Sequence, residues 1–404
     1  MKPAYYEFFA GAGMARAGLG DGWRCLFAND SDRKKAACYA ANFGAREFVC
    51  ADVATLGAAD LPGAADLAWA SFPCQDLSLA GAGAGLDGAR SGTFWSFWRL
   101  IEALGEAGRA PRMVAIENVV GLLRSRQGRD FAALAGAIAR CGYRLGAVVI
   151  DAAAFVPQSR PRLFIVAARG DLAIPQTLTR TTPDTRWTTR ALLQAQARLD
   201  AHAARRWLWW TPPAPGVSPP PLAAMIDRDA PRGAWNPPEA TARLLDLMSA
   251  RNRAKVAAAV RASLSATDSI VGTLYRRTRT DQTGARRQRA EARFDGLAGC
   301  IRTPAGGSSR QTVIVIERGA IRTRLLSARE AARLMGLAES FILPARYNDA
   351  YHAVGDGVAV PVVRHLARHL FEPLLAANDR AMQAAPAIPG ERSVLAREAS
   401  PRSE

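Results

Sequence analysis

Short apolar runs alternate with amphipathic stretches along the first 170 or so residues of the chain. The apolar runs predict strands at 5–9, 25–29, 47–50, 67–71, 113–117, 146–150 and 163–167. Strands that alternate with helical stretches are typical of a wound α/β sheet. The last two runs are joined by a segment too short for a crossover helix, so we predict that they form an antiparallel hairpin.

The pattern changes after Asp171. The stretch 175–238 is rich in Pro, Thr, Arg and Trp, and a helix is predicted over 238–262. Regular α/β character returns with a predicted helix over 327–335 and the apolar run 358–371. From Asn378 onward the chain is rich in Ala, Pro, Ser and Arg, a composition that predicts a disordered tail.

Length and charge narrow the class of protein. A chain of 404 residues is long enough for a full core and a second, smaller domain. The formal net charge of +17 favours a polyanionic partner, although an Ala- and Arg-rich composition also arises from GC-rich coding sequence. We find neither an apolar run that could span a bilayer nor a signal-peptide core, and therefore expect a cytoplasmic protein without a membrane partner.

The cysteines and histidines do not predict a metal centre. The six cysteines are irregularly spaced and contain no Cys-x-x-Cys pair, which argues against zinc and disulfides and leaves room for one reactive thiol. His365 and His369 have the spacing of two ligands on one helix turn, but no third ligand accompanies them. We therefore expect no metal.

A glycine-containing turn follows the first predicted strand. Its residues are Phe9, Ala10, Gly11, Ala12 and Gly13, and glycine there lets a nucleotide-like ligand approach the backbone. The third glycine of the dinucleotide fingerprint is absent, because Arg16 occupies its place. Asp30 and Asp52 end the next two strands, where they are placed to bind ribose hydroxyls and an exocyclic amine. Either acid alone is more often a cap, but together they predict a nucleoside site.

A sharper group of residues gathers at other strand ends. Cys74 follows the strand that ends at Ser71, and a glycine-rich segment, 80–88, comes next as a mobile lid or a plain loop. Glu117 ends another strand, and Arg160 and Arg162 precede the last one. A thiol, a carboxyl and two guanidiniums at one sheet edge are suited to attack on an electron-poor ring.

These residues, in this order, resemble the DNA (cytosine-5) methyltransferase family over about 4–170 and 300–375. The most specific matches are Pro73-Cys74-Gln75, Glu117-Asn118-Val119 and Gln158-x-Arg160-x-Arg162. The segments 303–311, 329–336 and 355–358 resemble the end of the family's recognition domain and its last two motifs. Two positions depart from the family pattern: Asp356 stands where Asn is usual, and Glu7 where Asp is usual.

The resemblance implies a Rossmann-like S-adenosylmethionine-dependent methyltransferase sheet with a smaller target recognition domain. It divides the chain into a catalytic and cofactor-binding domain at 1–171, a recognition domain at 172–322, a segment that returns to the catalytic domain at 323–377, and the tail, 378–404. The implied reaction methylates C5 of a flipped-out cytosine in a specific duplex DNA sequence. Cys74 attacks C6, Glu117 binds N3 and the exocyclic amine, and Arg162, with Arg160, holds the base oxygen and a phosphate.

The resemblance also implies binding residues. The cofactor residues would be Phe9, Gly11, Ala12, Gly13, Asp30, Asp52, Val53, Phe72, Pro73, Phe94, Asp356 and Val358. The DNA-binding residues would be Gln75, Ser78, Arg276, Arg277, Arg279 and Arg310. Because Asp is a good N-cap, we further predict that Asp356 caps the helix beginning near Val358.

The expected partner is double-stranded DNA, and we expect a monomer with a cognate restriction endonuclease that acts separately. Three alternatives remain open at this point. An RNA cytosine methyltransferase would share the fold, but the Cys-Phe-Thr signature of its tRNA-acting members is absent. An inactive DNA-binding relative would lack one of Cys74, Glu117 or Arg162, and a nicotinamide dehydrogenase leaves the other motifs unexplained.

Overall fold

The structure, a computed structural model, describes residues 2–73, 92–280, 284–302 and 310–384. Its strands are β1 Ala4–Phe8, β2 Arg24–Asp30, β3 Phe48–Cys50, β4 Leu67–Ala70, β5 Met113–Val119, β6 Tyr143–Asp151, β7 Pro161–Arg169, β8 Thr179–Arg180, β9 Trp209–Trp210, β10 Ile270–Thr280, β11 Arg286–Arg293, β12 Thr312–Glu317 and β13 Ala320–Leu325. Its helices are α1 Met14–Leu19, α2 Arg33–Phe43, α3 Thr93–Glu106, α4 Arg129–Arg140, α5 Arg190–Gln196, α6 Ala201–Arg205, α7 Leu222–Met225, α8 Pro238–Asp246, α9 Ala250–Ser263, α10 Ala328–Leu334, α11 Tyr347–Gly355, α12 Val360–Leu366 and α13 Glu372–Ala384.

A seven-stranded sheet in the order β3-β2-β1-β4-β5-β7-β6 forms the centre of the molecule. In this order the neighbouring pairs among the first five strands, β3, β2, β1, β4 and β5, are parallel. Strand β7 is antiparallel to both β5 and β6. The predicted wound α/β sheet and its terminal antiparallel hairpin are therefore confirmed. Alternate residues of β1 enter different apolar cores, since Tyr5 packs on one face of the sheet and Tyr6 on the other.

A second, four-stranded antiparallel sheet in the order β11-β10-β12-β13 lies later in the chain. Its inner face packs against α9 around a small core that includes Val256, Leu274 and Ile314. The predicted single helix over 238–262 is wrong, because the chain forms α8 and α9 instead. Ser249 begins the second helix by accepting a hydrogen bond from the backbone N–H of Asn252, and a residue that caps a helix in this way is not itself helical.

The last helix, α13, runs to Ala384, so the predicted disordered tail from Asn378 is wrong for 378–384. Asn378 is buried. Its side-chain oxygen accepts a hydrogen bond from the N–H of Ala173 at 2.8 Å, and its side-chain N–H donates one to the carbonyl oxygen of Ala173 at 2.9 Å. These bonds anchor the helix to the loop after β7. In the ranges that the structure describes, we find no helix with the length and apolarity that a bilayer span requires.

A buried ion pair joins the small sheet to the segment that returns to the main one. The Arg324 guanidinium, at the end of β13, lies 2.7 Å from a carboxylate oxygen of Glu330 in α10. Their side chains are 3% and 0% exposed. Glu330 also accepts a hydrogen bond from the backbone N–H of Asp227, whose carbonyl accepts one from Arg324. The loop that contains Asp227 is therefore held to the end of β13 and the start of α10, which lie about 100 residues later in the chain.

Candidate active site

Three of the predicted catalytic residues, Glu117, Arg160 and Arg162, lie at one edge of the seven-stranded sheet. Phe8 at the end of β1 pairs with Ala70 at the end of β4, and Ala70 pairs with Ile116 in β5. Because β7 runs the other way, its start lies beside the end of β5, where Val119 pairs with Arg162. Ligand sites of open α/β sheets lie at this carboxyl edge.

Glu117 and Arg162 form an ion pair at that edge, with 3.1 Å between Nε and the carboxylate oxygen. Glu117 is only 7% exposed, and the Arg162 side chain is 15% exposed. The guanidinium therefore fixes the direction of a carboxylate that has little access to water. An ion pair shielded in this way is suited to orient one functional group of a bound ring.

Asn118 connects this pair to the strand end that leads to the predicted nucleophile. Its side-chain amide donates to the carbonyl oxygen of Phe72 at 3.1 Å, and its oxygen accepts from the N–H of Val119. The chain is thus held in place directly before Pro73. Cys74, Gln75 and Ser78 themselves lie outside the described residues, as does the glycine-rich segment.

Gln158 and Arg160 have a different environment from Arg162. Gln158 is fully buried, donates to the carbonyl of Leu334 and accepts from the N–H of Ile301. The Arg160 guanidinium is also buried and donates to the carbonyl oxygens of Ile301, Gly355 and Gly357. Arg160 therefore fastens two later segments of the chain to the start of β7, while Arg162 pairs with Glu117.

The predicted nucleotide turn has the backbone that its glycines permit. Gly11 and Gly13 adopt φ angles of 58° and 82°, in the left-handed region. A Cβ at Gly13 would lie 2.5 Å from the ring of Phe43, so no larger residue fits there. Asp30 accepts a hydrogen bond from the N–H of Gly11 at 2.8 Å. The acid at the end of β2 thus ties the turn to the neighbouring strand.

Five further predicted cofactor residues comprise one cap and four buried apolar side chains. Asp52 accepts from the N–H of Ala54 at 2.9 Å, as a cap does. Phe72 and Phe94 are buried with their ring centroids 5.5 Å apart. Val53 and Val358 are also buried. Val53, Phe72 and Phe94 belong to the apolar core on one face of the sheet, and Val358 belongs to the core on the other face.

The predicted capping role of Asp356 is wrong. Asp356 follows the end of α11, and the residue that precedes the next helix is Ala359. The Asp356 carboxylate instead lies 2.8 Å from the ammonium of Lys35, near the beginning of α2. Burial acts to lower the pKa of Lys35, but Asp356 together with Asp30 and Asp32 gives a net rise. An ion pair between residues so far apart in sequence outweighs the local capping preference.

Glu7, the second departure from the family pattern, lies inside the sheet. It is 1% exposed in β1, on the side of the sheet that carries Tyr5. Burial raises the pKa of its carboxyl to about 8, with a further contribution from Asp30, although Arg16 opposes the rise. The raised pKa favours the protonated form of this carboxyl.

Sequence reasoning missed Lys35 and Cys300. Lys35 lies beside the nucleotide turn, since its Cδ is 4.0 Å from the position of a Cβ on Gly11. The sulfur of Cys300 is 3.3 Å from a guanidinium nitrogen of Arg160 and 3.9 Å from one of Arg162. Neither residue belongs to a recognisable motif. The only signal in the sequence is that Cys300 lies three residues before the segment 303–311, which was matched to a motif of the family.

The predicted DNA-binding arginines of the small sheet lie on a basic ribbon, which we define as 275–280 of β10 paired with 286–291 of β11. β12 pairs with β10 only up to Leu274, so the ribbon extends past the rest of the sheet. Arg277 lies opposite Arg289, and Arg279 lies opposite Arg287. Arg310 lies elsewhere, with its guanidinium 5.3 Å from the ring centroid of Tyr347.

Comparison with known proteins agrees with this arrangement. The sequence model described as C-5 cytosine-specific DNA methylase matches residues 4–372. The chain is 26% identical over 382 residues to Type II methyltransferase M.NlaX of Neisseria lactamica, covering 93% of this chain and 98% of that protein. It is 40% identical over 104 residues, about a quarter of each chain (26%), to Type II methyltransferase M2.BsuMI of Bacillus subtilis.

Two solved structures share the fold. The S. pombe Dnmt2 methyltransferase is 16% identical with a TM-score of 0.54, and the match covers 92% of this chain and 99% of that one. A putative DNA modification methyltransferase encoded within an E. coli prophage is 17% identical with a TM-score of 0.51, over 93% of this chain and 99% of that one. At this level of identity the likeness extends to the fold alone.

Proposed function

The chain belongs to the C-5 cytosine-specific DNA methylase family and is a DNA (cytosine-5) methyltransferase, and on this premise we propose that it methylates a flipped-out cytosine within a specific duplex sequence. The observation that carries the proposal is the shielded Glu117–Arg162 pair, which lies beside the strand end leading to Cys74. C5 and C6 of cytosine are inaccessible in a stacked duplex, so the base must leave the helix.

In the proposed reaction the Cys74 thiolate forms a bond to C6, and the displaced π electrons make C5 nucleophilic. Glu117 binds N3 and the exocyclic amine and stabilises the adduct protonated at N3. Arg162 orients Glu117 and reaches the base oxygen. Bound S-adenosylmethionine would supply the methyl group, whose bond to the sulfonium sulfur would break as the bond to C5 forms, leaving S-adenosylhomocysteine. Loss of the C5 proton to a base then returns electrons to the ring, and the Cys74 thiolate leaves C6.

We propose that the nucleotide turn binds S-adenosylmethionine. Among the described residues, apart from the chain neighbours of Gly11, the atom nearest to a Cβ placed there is Cδ of Lys35 at 4.0 Å, which leaves room for a ligand to approach. We propose that Phe9, Gly11, Ala12 and Gly13 contact the methionine part. Asp30 would bind the ribose, Asp52 and Val53 the adenine, and Phe72, Pro73, Phe94 and Val358 would line the site. Asp356, paired with Lys35, would lie near the charged end of the methionine.

We propose that residues 172–322 recognise the DNA and that the basic ribbon is their main contact. The major groove of B-DNA admits a two-stranded ribbon of this kind. Arg277 lies opposite Arg289 and Arg279 opposite Arg287, and Arg279 also pairs with Glu291 at 2.6 Å. One carboxylate does not balance four guanidiniums, and like charges directly opposite each other destabilise a strand pair, so the ribbon is suited to bind phosphates. Gln75, Ser78 and Arg310 would contact the DNA from the catalytic side.

Replacing Arg289 by Ala should therefore weaken binding to all duplex sequences and reduce the slope of log affinity against log salt concentration by about one unit. Fluorescence anisotropy over a salt series measures this slope. The matched control is Arg140→Ala, an exposed arginine at the end of α4 on the opposite edge of the sheet, which should leave the slope unchanged. Equal slopes for Arg289→Ala and the wild type would show that Arg289 does not contact a phosphate and would contradict the assignment of the ribbon to the DNA interface.

Transfer of tritium from labelled S-adenosylmethionine tests the proposed function as a whole. We expect label in duplex DNA and none in tRNA, and bisulfite sequencing of DNA from an expressing host should place 5-methylcytosine within one short sequence. Label that enters tRNA alone would contradict the DNA assignment. Because relatives are named Type II methyltransferases, we propose further that the protein acts as a monomer and protects DNA against a separate cognate endonuclease.

A further inference from the structure

Arg160 carries a buried positive charge for which the described residues provide no carboxylate partner. The residue is 2% exposed, and in the described ranges its guanidinium contacts three carbonyl oxygens and the sulfur of Cys300 but pairs with no carboxylate. Its Nε has no hydrogen-bond partner there either. A buried cation is costly unless an anion or a full set of acceptors compensates it.

Cys300 provides the missing partner. Its sulfur accepts from Arg160 at 3.3 Å and lies 3.9 Å from a guanidinium nitrogen of Arg162. Arg162 in turn holds Glu117 through its Nε. The sulfur therefore touches both arginines of the Gln-x-Arg-x-Arg segment, from a position that none of the recognised motifs includes.

We infer that Cys300 is a positioning residue, whose sulfur holds Arg160 and Arg162 in the orientation in which Arg162 reaches Glu117. The inference rests on the proposed function for its kinetic consequences, because it concerns the residues assigned there to binding the cytosine. Without the sulfur, the Arg162 side chain would gain freedom to turn away from Glu117.

The charge of the sulfur is set by its neighbours. Burial acts to raise the pKa of Cys300, but Arg160, Arg162 and Arg302 outweigh it and lower the pKa to about 7. In the part of the chain that the structure describes, Tyr351 of α11 also interacts with it, and the pKa of Tyr351 is raised, mainly by burial. Glu117 lies beyond Arg162. As pH rises through about 7, the sulfur becomes an anion and its hold on both arginines strengthens.

The first experiment measures the thiol directly and does not depend on methyl transfer. In a Cys74→Ala background, the rate of Cys300 alkylation by iodoacetamide is followed by peptide mass spectrometry as a function of pH. The midpoint should lie near 7, and adding Arg162→Met should raise it. A midpoint above 8.5, or one indifferent to Arg162→Met, would overturn the inference, whether or not the protein methylates DNA.

The second experiment measures the kinetic consequence with Cys300→Ser, whose hydroxyl remains neutral in this pH range. We expect kcat to fall about tenfold while KM for S-adenosylmethionine stays within about threefold, and the rise of kcat around pH 7 to disappear. Cys141→Ser, a matched half-buried thiol after α4 on the opposite edge, should keep the wild-type pH profile. A Cys300→Ser profile that keeps its rise around pH 7 would show that the sulfur only fills space.

Discussion

Replacing Glu117 by Gln should lower kcat by about 100- to 10,000-fold, the range that a positioned acid–base group contributes. Gln is nearly isosteric and is able to accept the hydrogen bond from Arg162, so the edge of the sheet should keep its geometry. The neutral side-chain amide of the Glu117→Gln variant, however, has no negative charge to stabilise an adduct protonated at N3. The loss should therefore appear in kcat, with little change in the affinity for S-adenosylmethionine.

Single-turnover methylation and calorimetric titration with S-adenosylmethionine separate these two effects. Glu106→Gln is the matched control, because Glu106 is exposed at the end of α3 and lies far from the strand ends that carry the site. We expect it to match the wild type. If the kcat of Glu117→Gln stayed within threefold of the wild-type value, the proposed catalytic role of Glu117 would be contradicted.

Replacing Arg324 by Met should lower the free energy of unfolding by about 3–5 kcal/mol, because it leaves the Glu330 carboxylate buried without its cation. Chemical denaturation followed by tryptophan fluorescence measures the loss. Arg322→Met is the control in the same strand, since its pair with Glu317 is exposed and should contribute less than about 1 kcal/mol. A loss below about 1 kcal/mol for Arg324→Met would contradict the role of the buried pair.

The ion pair between Arg324 and Glu330 also makes the free energy of unfolding depend on pH. Burial acts to raise the pKa of Glu330, but hydrogen bonds from Arg324 and from two backbone N–H groups lower it overall. The pKa of Glu330 is lower in the folded protein than in the unfolded chain, where it is about 4.3. Above the unfolded pKa the ion pair therefore contributes its full stabilising free energy, and this contribution is lost as pH falls through the lower, folded pKa. The wild type should therefore lose stability below about pH 4 more steeply than Arg324→Met does.

The strands of the main sheet could be predicted from sequence because burial on both faces makes them short apolar runs with polar ends. The predicted site residues at strand ends follow from the same logic, since the ends of neighbouring strands share an edge. Glu117 and Arg162 illustrate this, because each was recognised at a strand end and the two form an ion pair.

What the sequence did not reveal depends on partners that are distant along the chain. The ion pair of Lys35 with Asp356 and the contact of Cys300 with Arg160 join residues with no local pattern between them. The predicted cap at Asp356 failed because local propensity contributes only about 0.5–2 kcal/mol, which a tertiary contact is able to outweigh. The break between α8 and α9 was missed for the opposite reason, since the cap at Ser249 is local but directly follows the apolar residues Leu247 and Met248, which suggested a continuous helix.

The central claim, that Cys74 attacks C6 of cytosine, has one direct measurement. Duplex DNA carrying 5-fluorocytosine should trap the enzyme in the presence of S-adenosylmethionine, because fluorine at C5 cannot leave as a cation. We predict an adduct that survives denaturant and whose peptide maps to Cys74, and no adduct with Cys74→Ala, although that variant still binds the cofactor. An adduct that persists in Cys74→Ala, or one that maps to another cysteine such as Cys300, would contradict the mechanism.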